Sequence, residues 1–101
     1  MGTRLDLHKE LKSILGSDLV YYQPPENIKL LYPCIIYERA VDSVKYADNS
    51  LYKRQAKYTL TLISKEPDPE FVDILSELPL CRMNRIYRAD NLYHYSFDIY
   101  Y

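Results

Sequence analysis

Tyr46-Ala47-Asp48-Asn49-Ser50-Leu51-Tyr52 and Tyr87-Arg88-Ala89-Asp90-Asn91-Leu92-Tyr93 are two versions of one turn. Asp and Asn tolerate the left-handed backbone region and hydrogen-bond their own main chain, so each Asp-Asn pair reads as the tip of a β-hairpin. Strand-like runs flank both tips. Outward from the first, Cys34 to Tyr46 and Leu51 to Ser64 form two long strands, with Ala56, Tyr58, Leu60 and Leu62 alternating against Lys57, Thr59 and Thr61. Outward from the second, Leu80 to Arg88 pairs with Leu92 to Tyr101. There Tyr93, Tyr95, Phe97 and Ile99 point one way and His94, Ser96 and Asp98 the other.

Two helices complete the frame. Thr3 and Asp6 stand at capping-box spacing before Leu7, Leu11, Ile14 and Leu15, which predicts a helix from about Thr3 to Leu15 ended by Gly16. A short strand follows at Leu19 to Tyr22, then a loop, because the adjacent Pro24 and Pro25 cannot donate to a ladder; Pro33 sets the next boundary. The second helix opens with Asp68 as N-cap and Pro69 at its first position, places Phe71, Ile74, Leu75 and Leu78 on one stripe, and stops at Pro79. The fold class is α+β in a single domain over residues 1–101: an antiparallel β-sheet with one long protruding β-hairpin, and two α-helices packed on one face.

Composition removes several function classes. Lys+Arg 13 against Asp+Glu 14 leaves a net charge of -1, without the basic excess that drives binding to a phosphate backbone. The only glycines, Gly2 and Gly16, cannot build a phosphate-binding loop or a dinucleotide fingerprint, and no cofactor is expected. Cys34 and Cys81 lie in no metal-ligand spacing, so no metal is expected, and both read as reduced and buried. The start of the chain lacks the apolar core of a secretory signal, and no run approaches the roughly 20 apolar residues of a membrane span, so the cytoplasm is the expected site of synthesis and assembly. Twelve tyrosines suit half-buried sheet faces and subunit interfaces.

No serine sits in a nucleophile elbow and neither cysteine has a histidine at a recognisable spacing, so no catalytic residue is assigned. His8 reads as lying on the exposed side of the first helix. His94, sharing a sheet with Arg82, Arg85, Tyr87 and Tyr95, carries the enzyme alternative, a toxin-like ribonuclease; the bland reading is a solvated or interface histidine. The first hairpin interleaves Lys45, Lys53, Arg54 and Lys57 with Tyr46, Tyr52 and Tyr58, a pattern that fits nucleic acid, a solvated arm or a protein neighbour. Length favours the neighbour. Strands of about 13 residues reach roughly 43 Å, whereas a helix of about 11 residues covers about 16 Å, so over half the hairpin has nothing of its own chain to pack on.

The order of elements, the entry Tyr32-Pro33-Cys34-Ile35-Ile36-Tyr37, the long hairpin, the Asp68-Pro69 helix and the closing hairpin from Tyr87 to Tyr101 together resemble the tail-terminator and tail-completion proteins of long-tailed bacteriophages. Those proteins are small α+β subunits that form a ring, typically a hexamer, at the head-proximal end of the tail tube, where they stop tube growth and receive the head-tail connector or stopper protein. The resemblance implies a structural virion protein of the neck with no catalytic residues and no membrane. Its partners are further copies of itself, the tail tube protein and the connector, with DNA only passing through the lumen. It also implies subunit and tube interfaces at Val44, Tyr46, Asp48, Asn49, Tyr52, Lys53 and Arg54 of the arm and at Tyr93 and Tyr95 of the sheet. Other head-tail connector proteins share the element order, and a small sheet-based binding module is a further alternative.

Overall fold

The computed structural model describes residues 3–25, 27–40, 56–67 and 69–101. Its elements are α1 (Arg4–Leu15), β1 (Val20–Tyr22), β2 (Cys34–Arg39), β3 (Lys57–Ser64), α2 (Phe71–Ser76), β4 (Cys81–Ala89) and β5 (Leu92–Tyr100). The fold is α+β: five strands in the order β1-β2-β3-β5-β4 carry both helices on one face. The sheet is mixed, not wholly antiparallel, because β1 runs parallel to β2, with Val20 opposite Ile35 and Tyr22 opposite Tyr37. A parallel neighbour needs a long return, and residues 23–33, with Pro24 and Pro25 holding them out of any ladder, supply it.

Alternation sorts the strands as the sequence predicts. Ile35, Tyr37, Tyr58, Leu60, Leu62, Tyr95, Phe97 and Ile99 face the helices and are buried, with Leu7, Leu11 and Leu15 of α1 and Leu75 of α2 packed on them. α1 starts at a capping box: the Asp6 amide donates to Thr3 Oγ1 and the Thr3 amide to the Asp6 carboxylate, each at 3.2 Å. Gly16 ends it in the left-handed region at φ 74°, its amide reaching Lys12 O at 2.9 Å.

α2 is shorter than its sequence pattern suggests. It has a single buried residue, Leu75, and Val72 rather than Ile74 joins Phe71 and Leu78 against the core, leaving Ile74 42 % exposed. The N-cap position is taken by Glu70, in helical backbone geometry and without a side-chain hydrogen bond; Asp68, expected as the cap, lies outside the described residues. The closing hairpin turns at Asp90 and Asn91, both left-handed at φ 54° and 63°, with Ala89 opposite Leu92. Two consecutive positive φ values make this the primed turn whose twist matches the strands. The first Asp-Asn turn lies outside the described residues.

Candidate functional site

Three regions of the described surface carry the geometry: the end of the β2–β3 ladder at Ala40 and Lys57, the open sheet face and the sheet edges. The base of the ladder, at Ala40 and Lys57, is held on three sides. The Ala40 amide donates to Lys57 O at 2.8 Å, carrying the β2–β3 pairing past Arg39 and Tyr58. The Tyr101 amide donates to Ala56 O at 2.9 Å from the β5 side, and the Arg39 amide donates to Gln23 Oε1 at 3.2 Å from the β1 side. Beside the base lies a shallow hollow lined by Lys57, Leu80, Cys81, Arg82, Asp98 and Tyr100. Of the interface residues expected from sequence, Val44, Tyr46, Asp48, Asn49, Tyr52, Lys53 and Arg54 lie outside the described residues.

Tyr93 and Tyr95 are the two expected interface residues that lie among the described residues. Both sit on the helix-covered face by strand parity, opposite Ser64 and Leu62 of β3. Tyr95 is 3 % exposed and belongs to the core; Tyr93 is half-buried, with the Arg88 guanidinium 5.1 Å from its ring centre.

The opposite face of the sheet has no described helix on it. A bulge between Met83 and Arg85 shifts the register of β4, so that Arg82 lies opposite Asp98 and Arg85 opposite Ser96. That shift places Arg82, Arg85 and Tyr87 together on the open face, where unbroken alternation would put Arg82 and Arg85 on different faces. Tyr87 stacks on His94 at 4.7 Å with 14° between the planes, and the Arg85 guanidinium stands 4.6 Å from the Tyr87 ring centre. His94 Nδ1 lies 3.3 Å from Leu92 O, and since a carbonyl only accepts, that nitrogen carries the proton. The structure therefore gathers Arg85, Tyr87 and His94 and leaves Tyr95 behind the sheet. Asp98 anchors the row below, taking hydrogen bonds from Thr59 at 3.4 Å and Asn84 at 3.0 Å.

Both cysteines are free thiols. Burial pushes both thiols up to about 11, so each is protonated at neutral pH, and β3 and β5 stand between their strands. Cys34 is fully buried, whereas Cys81 is only partly so. No group of His, Cys, Asp or Glu among the described residues could hold a metal ion, and no helix among them is long and apolar enough to cross a membrane.

No protein-family model matches the chain, and comparison with curated proteins and with solved structures finds no match.

Sequence reasoning missed two features. His8 is not on the exposed side of α1: it is half-buried, with Nδ1 2.7 Å from the hydroxyl of the fully buried Tyr37. The spacing of Arg4, His8 and Lys12, one turn apart, was the available signal for a polar flank turned toward β1. Exposed leucines and isoleucines at the two ends of the sheet were also missed, and no periodicity announces them.

Proposed function

We propose that this chain is a ring-forming subunit at the head-proximal end of a phage tail tube, ending tube growth and joining the tail to the head connector. The observation that supports it most is the base of the first hairpin. The β2–β3 ladder is unbroken from Cys34 opposite Ile63 to Arg39 opposite Tyr58, and its last described bond joins Ala40 to Lys57. Asp48 and Asn49 stand midway in number between those two residues. A two-residue turn there, like the one at Asp90 and Asn91, would make an arm longer than the chain's own helices can cover, and a neighbouring subunit is what would order it. The three-sided clamp on the base fits an arm that must transmit load to the sheet.

The chemistry of the described residues is compatible with a structural role: burial raises both thiols to about 11, and no group of His, Cys, Asp or Glu among them could hold a metal ion. The test is tube length. Tail tubes grown with the wild-type protein should stop and carry a ring at one end. Replacing Val44 through Lys53 by Asn-Gly should leave a folded protein that caps no tubes. Tubes that stop normally with the shortened protein would overturn the reading.

Arg85, Tyr87 and His94 on one open face favour the ribonuclease as second reading. RNA cleavage by the purified protein that vanishes on His94→Ala would select it over the tail ring.

A further inference from the structure

The open face of the sheet carries two arginines that no carboxylate among the described residues pairs. Arg82 and Arg85 are both exposed, and the bulge between Met83 and Arg85 sets them on that face together. Arg82 lies opposite Asp98, yet no ion pair joins them among the described residues. The Asp98 oxygens take neutral donors instead, Oδ1 the Thr59 hydroxyl at 3.4 Å and Oδ2 the Asn84 amide at 3.0 Å. Arg85 lies opposite Ser96, which faces Thr61, so its row there holds hydroxyls and no charge. Two further carboxylates stand off. Glu38 is on β2, three strands from Arg82 and so about 14 Å across the sheet, and Asp90 is in the turn beyond Ala89.

We propose that this face binds single-stranded RNA, with Arg82 and Arg85 on neighbouring phosphates and a base added to the stack of Arg85, Tyr87 and His94. Such binding goes beyond the tail reading and does not depend on it. It requires no cleavage, although the ribonuclease reading draws on the same face.

Charge argues for an anion of phosphodiester kind. The planar fork of an arginine that has no carboxylate suits two phosphate oxygens at once. Asp98 and Ser96, the partners of the two arginines on β5, are successive positions of one face, which sets the arginine rows about 7 Å apart. That is close to the span between neighbouring phosphates of an extended strand. The chain's net charge of -1 keeps the contact local, to a few phosphates.

The rings argue for a single strand. Tyr87 has His94 stacked on it at 4.7 Å and the Arg85 guanidinium 4.6 Å from its ring centre, and nucleobases stack on aromatic rings and on guanidinium planes. A duplex keeps its bases inside, and an acidic peptide would meet the arginines without a ring to add. The histidine argues for RNA. Nδ1 of His94 carries its proton toward Leu92 O, so Nε2 is a bare acceptor, to which a ribose 2′-hydroxyl donates and a deoxyribose has nothing to give.

Fluorescence anisotropy with a short labelled RNA strand, the DNA strand of the same sequence, the RNA duplex and an oligoglutamate peptide tests this. The RNA strand should bind tightest, with log K falling against log salt at a slope of about -1.4, roughly -0.7 for each of two phosphates. Replacing both arginines, Arg82→Gln with Arg85→Gln, should weaken it more than about tenfold and flatten the slope. Lys9→Gln, which removes a charge from exposed α1 surface, should change neither. His94→Phe, which keeps a ring and loses the acceptor, should bring RNA down to the affinity of DNA. The arginines are exposed, so melting temperature should hold in the double variant. No binding of the RNA strand at low salt, an equal loss from Lys9→Gln, equal affinity for the DNA strand or the duplex, or tighter capture of the peptide would each overturn the site. RNA bound and recovered intact would uphold the site and remove the ribonuclease, whereas RNA bound and cut would uphold both.

Discussion

His8 Nδ1 lies 2.7 Å from the Tyr37 hydroxyl, and the other partner of that oxygen is the Arg4 guanidinium at 3.2 Å. Arginine only donates, so Tyr37 accepts from Arg4, and its hydroxyl proton is free to go to Nδ1 of a neutral His8 in the tautomer that leaves that nitrogen bare. Burial, then the cations Lys12 and Arg4, hold His8 below its ordinary value; burial pushes Tyr37 up, and the rings of Tyr22 and Tyr58 stand 4.9 and 6.0 Å away. A histidine depressed in the fold binds more protons unfolded than folded. Its stabilisation is complete above the unfolded value of about 6.5, is lost as pH falls through it, and levels off below the folded value. Thermal melts from about pH 8 down to about pH 5 should therefore fall more steeply for the wild type than for His8→Gln, whose amide oxygen still accepts from Tyr37. Equal slopes in the two proteins would assign the titration to another group.

Leu75 and Ile74 are neighbours in sequence and opposites in energy. Leu75 is fully buried under α1 and the sheet, while Ile74 is 42 % exposed. Leu75→Ala should cost about 2 to 5 kcal/mol, cavity included, and Ile74→Ala under about 1 kcal/mol. Urea melts that reverse the order would mean that α2 is rotated from its described position.

The strands were legible because their pattern has period two and one face is buried, which pins register: Tyr58, Leu60 and Leu62, and Tyr95, Phe97 and Ile99, all lie where alternation puts them. α1 was legible through Thr3, Asp6 and Gly16, whose chemistry is local. α2 was read too generously, since an apolar stripe across so short a helix has two candidate edges and only packing chose Val72 over Ile74. The direction of β1 depended on where the 23–33 return delivers the chain, and the placement of Arg82 and Arg85 on one face depended on a bulge at Asn84 that no glycine or proline marks. At the candidate site, strand parity already set Tyr95 apart from His94, on the face of Phe97 and Ile99, and what it could not show is that Tyr87 of the neighbouring strand stacks on His94.

Cys34 and Cys81 make a probe of opening. With thiols at about 11, roughly one in a thousand of each is ionised at about pH 8, so alkylation of the native protein should be slow. Cys34, with no exposed surface, should react only through unfolding, at a rate that rises with urea, whereas Cys81 is partly exposed and should react first. Mass spectrometry of partly labelled protein separates the two. Faster labelling of Cys34 would place it at an accessible edge and contradict its burial between β1 and β3.

Asn91, at φ 63° beside Asp90 at 54°, occupies the turn position that glycine fills at least cost. Asn91→Gly should leave the melting temperature unchanged or slightly raised. Asn91→Val, forcing a β-branched residue into the left-handed region, should cost about 1 to 2 kcal/mol or more and weaken the Ala89–Leu92 closure. The same two substitutions at Asn49 carry the question to the first hairpin, where we propose a matching turn. Because the arm's tip contributes little to the monomer in that proposal, Asn49→Val should leave melting almost unchanged yet weaken ring formation and tube capping, while Asn49→Gly preserves both. If Asn49→Val destabilised the monomer as much as Asn91→Val, the first turn would be packed on its own domain and could not be the tip of an uncovered arm.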